Sequence, residues 1–287
     1  MGPVKSGPPL SQHIKGFLLY LSLVVYLAVV VYPMVWLLLS SVRKSEELFT
    51  SESPWTLPKH LYLQNFGKAW REGRFSGYFL NSVLVTAGSL ILVTAAATMA
   101  AYVLGRFRFR LNRPILFYFL AGMTFPAQLA LIPLFFLMLR LHLLNTYLGL
   151  ILIYTGASLP FTIFVLTGFF STLPSELHDA AAIDGCSEFA VFWRIMLPLA
   201  RPGLITVTIF NFLGIWNEYL YALVFITDEN LRTLPLGLAN LAINKQYDTD
   251  LGALFAGVVI VMVPALIVYN LLQRYLTQGL QTGALKG

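Results

Sequence analysis

The chain has 287 residues, of which 57% are hydrophobic and only 11% are charged. Soluble domains carry roughly a quarter charged residues, so this composition excludes an ordinary soluble protein and favours lipid as the solvent. The net charge of +6 does not indicate a nucleic-acid partner, because the basic residues lie beside apolar runs, where anionic lipid headgroups and orientation signals account for them.

Long, nearly uncharged runs predict about six transmembrane helices, since about 20 apolar residues span a bilayer as a helix. In chain order the runs are residues 16–40, 79–104, 115–139, 147–170, 202–226 and 251–272. The first run is longer than a signal-peptide core and no clear small-residue cleavage site follows it, so we expect a retained first helix. The predicted fold class is an all-α polytopic membrane protein, with an N-terminal segment 1–15, a six-span domain 16–277 and a tail 278–287.

Basic residues between the runs predict the orientation. The short link 105–114 carries four arginines and no acid, whereas the loop 41–78 is long and mixed in sign. Short loops dominate the positive-inside effect, so we place this link in the cytoplasm. An even number of spans then places both termini and the loop 171–201 on the cytoplasmic side as well.

Small residues and prolines within the runs predict how the helices pack and bend. Ala97 and Ala101 are spaced so that a second helix can approach closely. Pro126 and Pro133 in the third run, and Pro264 in the sixth, are expected to kink their helices.

The loop 171–201 has the sequence of a helix–turn–helix. Pro174 and Glu176 suit the first turn of a helix, and alanines follow in its middle. Gly185 is expected to end this helix in a left-handed conformation, and Ser187 to cap a second helix.

The second helix of this loop carries bulky apolar residues at positions i, i+3, i+4 and i+7. These residues are Phe189, Phe192, Trp193 and Met196. Such spacing predicts a single apolar face, and Pro198 and Pro202 are expected to end the helix before the fifth run. From these residues alone, the helix pair is either a simple connector or a docking element for another chain.

A family resemblance favours docking. The pattern Asp179-Ala180-Ala181, Gly185 and, after nine intervening residues, Ile195-x-Leu197-Pro198 resembles the EAA loop of ABC importer permeases, although glutamate is usual at the position of Asp179. Shorter motifs along nearly the whole chain also resemble the six-span permease of carbohydrate-uptake importers of the maltose type. These motifs include Asn81-Ser82, Leu144-Asn145-Thr146-Tyr147, Trp216-Asn217-Glu218-Tyr219 and Gly283-Ala284-Leu285-Lys286-Gly287.

The resemblance implies a type I ABC importer permease architecture and a docking role for the loop. In that family the loop forms coupling helices that sit in a cleft of a cytoplasmic ATPase. The residues expected to couple this chain to the ATPase are Glu176, Asp179, Ala180, Ala181, Asp184, Gly185, Ile195, Leu197 and Pro198. The tail is expected to reach the same ATPase through Gly283, Lys286 and Gly287.

The resemblance also implies partners and a location. The expected partners are a second homologous permease, two ATPase subunits, an extracytoplasmic solute-binding protein and membrane lipids, with no nucleic acid. The expected location is a bacterial or archaeal plasma membrane. ATP and magnesium would bind the ATPase subunits, so no cofactor is expected on this chain.

Enzymatic and metal-binding motifs are missing from the sequence. No G-x-x-x-x-G-K-[ST] phosphate loop is present, the four histidines are scattered, and the lone Cys186 offers neither a disulfide nor a metal site. We therefore expect that the chain is not itself an enzyme, and the family resemblance implies a transporter subunit that moves a sugar or oligosaccharide. The alternatives are a permease for another small polar solute, such as a polyol or a glycerophosphate-type compound, or a stand-alone secondary carrier.

The fifth run contains the one acid at predicted membrane depth, Glu218. An ionisable group there is costly unless it pairs or faces water. With its neighbours Asn217 and Tyr219, it is predicted to line a substrate path. The alternative is that Glu218 pairs within the helix bundle or with the partner permease and fixes assembly.

Overall fold

The structure is a computed structural model that describes residues 10–50, 57–58, 60–244 and 250–284. Side chains are described for residues 15–48, 57–58, 60–126, 128–243 and 250–273. The helices are, in chain order, α1 (Leu10–Ser41), α2 (Ser45–Thr50), α3 (Gln64–Arg71), α4 (Phe75–Arg106), α5 (Asn112–Thr124), α6 (Ala127–Arg140), α7 (Tyr147–Thr172), α8 (Ser175–Ile183), α9 (Glu188–Val191), α10 (Leu197–Leu199), α11 (Arg201–Trp216), α12 (Leu220–Phe225), α13 (Leu234–Asn244) and α14 (Leu251–Ala284). A π-helical segment occupies Phe192–Met196, and a 3-10 turn occupies Glu229–Leu231. No strand occurs among the described residues.

Four described helices are long and apolar enough to cross a membrane. These are Lys15–Ser41, Phe75–Arg106, Tyr147–Thr172 and Leu251–Gln273, which correspond to the first, second, fourth and sixth predicted spans. Two bent helix pairs raise the possible number of spans in the described part of the chain to six. The all-α fold class is therefore confirmed, and the six-span domain stays a prediction.

The third predicted span is not one straight helix. The segments Asn112–Thr124 and Gln128–Arg140 meet at an angle of 106°. Proline lacks an N–H and pushes the residue before it out of the α region, and Phe125 accordingly has φ −80° and ψ 127°. Pro126 thus breaks the helix, a stronger effect than the predicted kink, while Pro133 stays inside α6.

The fifth predicted span is also interrupted. α11 ends at Trp216 and α12 begins at Leu220, so Glu218 lies in a non-helical break. The prediction of a continuous helix through Glu218 is wrong, because side-chain hydrogen bonds described below stabilise a break that contains neither glycine nor proline.

The described residues form two compact units, and the first consists of the described residues within the ranges 1–69 and 244–260. Within it, the buried Asn65 side chain donates hydrogen bonds to the backbone carbonyls of Ser41 at 2.9 Å and Arg43 at 2.7 Å. At the start of α14, the Asp250 carboxylate accepts hydrogen bonds from Lys68 Nζ and Ser45 Oγ, each at 2.7 Å. Polar contacts therefore hold the loop after α1 to both α3 and the beginning of α14.

The Asp250–Lys68 ion pair predicts acid sensitivity of this unit. Burial alone would raise the pKa of the Asp250 carboxyl, but hydrogen bonds from Lys68, Ser45 and the Ala253 backbone outweigh it and hold the pKa below the ordinary value of 3.8. A lowered folded-state pKa stabilises the fold above the unfolded-state pKa, and this contribution disappears as pH falls through the folded-state value.

We therefore expect Lys68→Gln to lower the melting temperature by a similar amount from pH 7 to about pH 5, with the difference shrinking below about pH 4. Thermal unfolding of the purified protein across this range measures the difference. Arg71→Gln is the control, because Arg71 is exposed on the same helix. A melting-temperature difference that grows on acidification would contradict this account.

The second unit comprises residues 70–243 and 261–287, and α4 and α7 form its main helix pair. Ala97 and Ala101 are fully buried between helices, which agrees with the predicted close approach. Two apolar clusters lie in this unit. The Tyr102 cluster joins parts of α4, α7, α8, the π segment and α11, and the Tyr154 cluster joins parts of α4, α6, α7, α11, α12 and α13.

Candidate functional site

The first helix of the 171–201 loop is α8. It follows Pro174, the N-cap residue, whose backbone has φ −55° and ψ 134°. Glu176 lies in the first turn, where the positive end of the helix dipole favours a carboxylate. The prediction of this helix is confirmed, with Pro174 one position before the first turn.

The turn after α8 is a Schellman motif centred on Gly185. Gly185 has φ +79°, its N–H donates to the Ala182 carbonyl at 3.1 Å, and the Cys186 N–H donates to the Ala181 carbonyl at 3.0 Å. A side chain at this φ would strain the backbone, whereas glycine adopts it freely. The predicted left-handed glycine is confirmed.

The second helix begins as predicted and then changes its pitch. Ser187 Oγ accepts a hydrogen bond from the Ala190 N–H at 3.3 Å. The π segment follows directly, and the segments Glu188–Leu199 and Arg201–Trp216 meet at 71°. The helix entering the membrane therefore turns sharply where the sequence has its Pro-x-x-x-Pro pattern.

The predicted apolar face of the second helix is divided in two. Phe192 and Met196 are buried, while Phe189 and Trp193 are 73% and 49% exposed. The single-face prediction is wrong because the wider π turn departs from the 3.6-residue repeat, and only part of the face meets the bundle.

The buried side of the loop packs on the ends of the spanning helices. The Tyr102 ring of α4 has its centroid 5.6 Å from those of Phe107 and Phe170, and 5.0 Å from that of Phe192. Ala181 of α8 joins the same cluster and is 5% exposed. The loop is therefore packed directly against α4 and α7.

A polar contact that the sequence analysis missed holds the two short helices together. His178 Nε2 lies 3.1 Å from Glu188 Oε2, and the Tyr102 hydroxyl donates to the same oxygen at 3.4 Å. The Phe107 ring stands edge-on to the imidazole, with centroids 6.4 Å apart. The only sequence signal was a histidine and an acid on either side of the turn, a pattern too common to single out.

The other side of the loop is exposed and partly apolar. Ile183 is 86% exposed, and Leu177 is also exposed. Glu176, Asp179, Ala180 and Asp184 are exposed on the same two turns of helix. Of the predicted Asp-Ala-Ala motif, only Ala181 therefore faces the bundle.

The remaining predicted coupling residues differ in exposure. Ile195 and Leu197 are half-buried, and Pro198 is exposed. In the tail, the backbone of Gly283 belongs to α14, whereas Lys286 and Gly287 lie outside the described residues.

The break between α11 and α12 is organised by the Glu218 carboxylate. Oε1 accepts from the Tyr221 N–H at 2.8 Å, and Oε2 accepts from the Ala222 N–H at 3.2 Å and from the Tyr154 hydroxyl at 2.7 Å. Glu218 thus satisfies the first free N–H groups of α12 and ties them to α7. Its neighbours Asn217 and Tyr219 are exposed.

Residues that belong to the motifs of the family resemblance hold the loop after α12 in place through hydrogen bonds to residues 227–232. Asn81 Nδ2 donates to the carbonyls of Asn230 and Arg232 at 2.7 and 2.9 Å, and Asn81 Oδ1 accepts from the Tyr147 hydroxyl at 2.7 Å. Asn145, at φ 56°, accepts from two further N–H groups of the loop. These motif residues have structural roles that the sequence analysis did not foresee.

Metal-binding geometry is not found in the described part of the chain, where no three His, Cys, Asp or Glu residues are arranged to hold an ion. The site consists of two short helices packed on spanning helices, together with a break between α11 and α12 that the Glu218 carboxylate holds.

Two short helices packed on the ends of spanning helices are the arrangement that the family resemblance predicts for an importer permease. The family model described as "Binding-protein-dependent transport system inner membrane component" matches residues 93–282, and the chain belongs to this family of ABC importer permeases.

Similar permeases match nearly the whole chain. The diacetylchitobiose uptake system permease protein NgcG of Streptomyces coelicolor is 44% identical, over 92% of this chain and 87% of that protein. The arabinooligosaccharides transport system permease protein AraQ of Halalkalibacterium halodurans is 34% identical, over 96% and 99%. The crystal structure of a bacterial ABC transporter involved in the import of the acidic polysaccharide alginate matches with a TM-score of 0.83 and 23% identity, over 94% of this chain and 99% of that one, which confirms the fold.

Proposed function

We propose that the chain is the membrane-spanning permease subunit of an importer that carries a sugar or oligosaccharide into the cytoplasm, using ATP hydrolysed by separate subunits. The observation that carries this proposal is the two-sided loop of residues 174–199. Its inner side is packed into the Tyr102 cluster, and its outer side exposes apolar residues that a monomeric surface loop rarely leaves uncovered.

Docking of an ATPase on the outer side gives these exposed residues a partner. Ile183 and Phe189 are the apolar anchors, since they are the most exposed large hydrophobic side chains of the loop. Asp179 and Glu176 offer exposed charges at the rim, and the exposed Ala180 lets another chain approach closely.

The inner side of the loop then transmits the movement of the ATPase. Ala181 contacts the Tyr102 cluster, Gly185 sets the angle between the two helices, and Asp184 is the cap residue that precedes it. Ile195 and Leu197 pack partly against the same cluster, and Pro198 precedes the bend into α11. Closure of the ATPase pair would rock α4, α7 and α11 as packed units.

The complete importer is proposed to contain this permease, a second homologous permease, two ATPase subunits and an extracytoplasmic binding protein. Both termini are proposed to be cytoplasmic, with Gly283, Lys286 and Gly287 reaching the ATPase. No cofactor is proposed on this chain, because nucleotide and magnesium belong to the ATPase subunits.

The substrate path is proposed to run beside the α11–α12 break. Asn217 and Tyr219 are exposed there, and an amide with an aromatic ring suits a sugar, which presents hydroxyls and C–H faces. Glu218 belongs to the path as its positioning residue, since its carboxylate is engaged within the chain.

A sugar substrate is supported by the relatives rather than by the geometry. The names of NgcG and AraQ refer to diacetylchitobiose and arabinooligosaccharides, and that of a third relative, MelC of Bacillus subtilis (31% identical), to melibiose, raffinose and stachyose.

Affinity purification from the native membrane in mild detergent tests the assembly. We expect an ATPase and a second permease to copurify, and the isolated chain to hydrolyse no ATP. Sustained hydrolysis by the isolated chain, with contaminating ATPases excluded, would contradict the proposal. A screen of the cognate binding protein tests the substrate separately, and exclusive binding of a polyol or glycerophosphate would overturn the sugar assignment alone.

A further inference from the structure

A basic cavity lies beside the coupling loop, and the proposed transport cycle does not use its arginines. Its volume is about 1080 Å³. It is formed by the link between α4 and α5, which we call the arginine loop (residues 105–113), and by the residues where α7 ends and α8 begins. Its lining includes the four arginines of this loop, together with Ser175, His178 and Asp179 of α8.

One of the four arginines in the cavity holds the chain in place. Arg106 donates to the carbonyls of Leu173 at 2.8 Å and Pro174 at 3.4 Å, which ties the end of α4 to the start of α8. Asn112 supports the loop in the same way, because its amide donates to the carbonyls of Leu104 and Phe107. The walls of the cavity are therefore held by hydrogen bonds to backbone groups.

The other three arginines take part in no described ion pair. Arg108, Arg110 and Arg113 are exposed, and none forms an ion pair among the residues whose side chains are described. Asp179 is the one acid among the described lining residues, and its carboxylate lies 3.6 Å from His178 Nδ1. Like charges gathered in one cavity repel each other, so an anionic ligand would stabilise this arrangement.

The start of α8 adds to the positive potential. Pro174 supplies no side-chain hydrogen bond to the first N–H groups of this nine-residue helix. Ser175, the first residue of the helix, lines the cavity. Free N–H groups at a helix start favour anions, and phosphate above all.

The position of the cavity indicates where the phosphate comes from. Three apolar helices have ends there, at Arg106 of α4, Asn112 of α5 and Thr172 of α7. Phe109 and Leu111 of the arginine loop are exposed apolar residues beside the basic ones. The ends of spanning helices lie at headgroup depth, where lipid phosphates are concentrated.

We propose that this cavity binds a phosphate group, and that in the membrane the ligand is the headgroup of an anionic phospholipid. Arg108, Arg110 and Arg113 contact the phosphate, and Arg106 positions the wall. Because Ser175 and His178 of α8 line the same cavity, the bound headgroup bridges the arginine loop and the first coupling helix. The assignment needs this end of the bundle to face the headgroups and does not depend on transport activity.

Native mass spectrometry of the full-length chain in detergent tests the site, with phosphatidylglycerol or phosphatidylcholine added at equal concentration. We expect the wild type to retain phosphatidylglycerol in preference to phosphatidylcholine. In the triple variant Arg108→Gln/Arg110→Gln/Arg113→Gln, the ratio of retained phosphatidylglycerol to retained phosphatidylcholine should fall by roughly fivefold for each arginine removed. The single variant Arg108→Gln should show an intermediate loss. These side chains are exposed and hold no described structural contact, so folding is expected to survive, with circular dichroism and size-exclusion elution as checks.

Arg201→Gln is the matched control, because it removes an exposed arginine that lies on the same proposed side of the membrane but outside the cavity. Equal retention in the wild type and the triple variant, or an equal loss in Arg201→Gln, would overturn the site. A third arm adds inorganic phosphate or glycerol 3-phosphate. If either binds the wild type and phosphatidylglycerol does not, the lipid assignment is overturned and a soluble phosphate takes its place.

Discussion

Gly185→Val is expected to reduce substrate transport by the assembled importer about tenfold, while the chain still inserts into the membrane. The φ of +79° at this position is a left-handed conformation. An L-residue pays roughly 1–2 kcal/mol there, and a β-branched residue pays more. A difference of that size changes the ratio of two conformations by a factor of roughly 5–30.

The strain comes from the backbone and not from crowding. No atom lies within 4 Å of the position that a Cβ at Gly185 would occupy, so the new side chain has room. The valine would relax by moving φ to a negative value, and that change breaks the two hydrogen bonds of the Schellman motif, from the Gly185 and Cys186 N–H groups. α8 would then no longer be held at the angle that joins the His178 imidazole to the Glu188 carboxylate.

Reconstituted importer, assayed for both ATP hydrolysis and substrate uptake, measures this effect as transport per ATP hydrolysed. Gly185→Asn is the matched control, because asparagine tolerates the left-handed region and should retain most of the coupling. Gly185→Ala should fall between the two variants. If Gly185→Val is expressed normally and transports at the wild-type rate, the proposed coupling role of the loop is contradicted.

The coupling loop could be predicted from the sequence because its structure depends on local interactions. Pro174, Gly185 and Ser187 each act through backbone groups within a few residues, so their types and spacing were sufficient. The long apolar helices were predictable for a similar reason, since length and hydropathy alone identify them.

The departures from prediction depend on groups that are distant in sequence. The break at Glu218 needs the Tyr154 hydroxyl, which is 64 residues away in the chain. The contact between His178 and Glu188 needs Tyr102 and Phe107 to close around it, and both belong to another segment. The angle of 106° between the two helices of the third predicted span could not be predicted, because a proline indicates that a helix is disturbed but not how far it bends.

Glu218→Ala is expected to lower the thermal stability of the chain and to reduce transport, while assembly with the partner permease survives. The substitution removes the acceptor of three hydrogen bonds, two from the backbone of α12 and one from Tyr154. A hydrogen bond to a charged group is worth about 1.5–3 kcal/mol, and a helix cap about 1 kcal/mol. α12 would lose its fixed start, and Asn217 and Tyr219 would lose their positions beside it.

A double-mutant cycle separates the structural brace from the other two interpretations of this acid. Tyr154→Phe combined with Glu218→Ala should show a coupling energy of about 1.5–3 kcal/mol in thermal or denaturant unfolding, because the first change removes the donor and the second the acceptor of the same hydrogen bond. Tyr147→Phe combined with Glu218→Ala is the control and should be additive, since the Tyr147 hydroxyl bonds to Asn81 instead. Additive behaviour of the Tyr154 pair would contradict the brace. Loss of the partner permease from Glu218→Gln on purification would show that this carboxylate serves assembly, whereas wild-type stability and transport in Glu218→Ala would leave the break without a function.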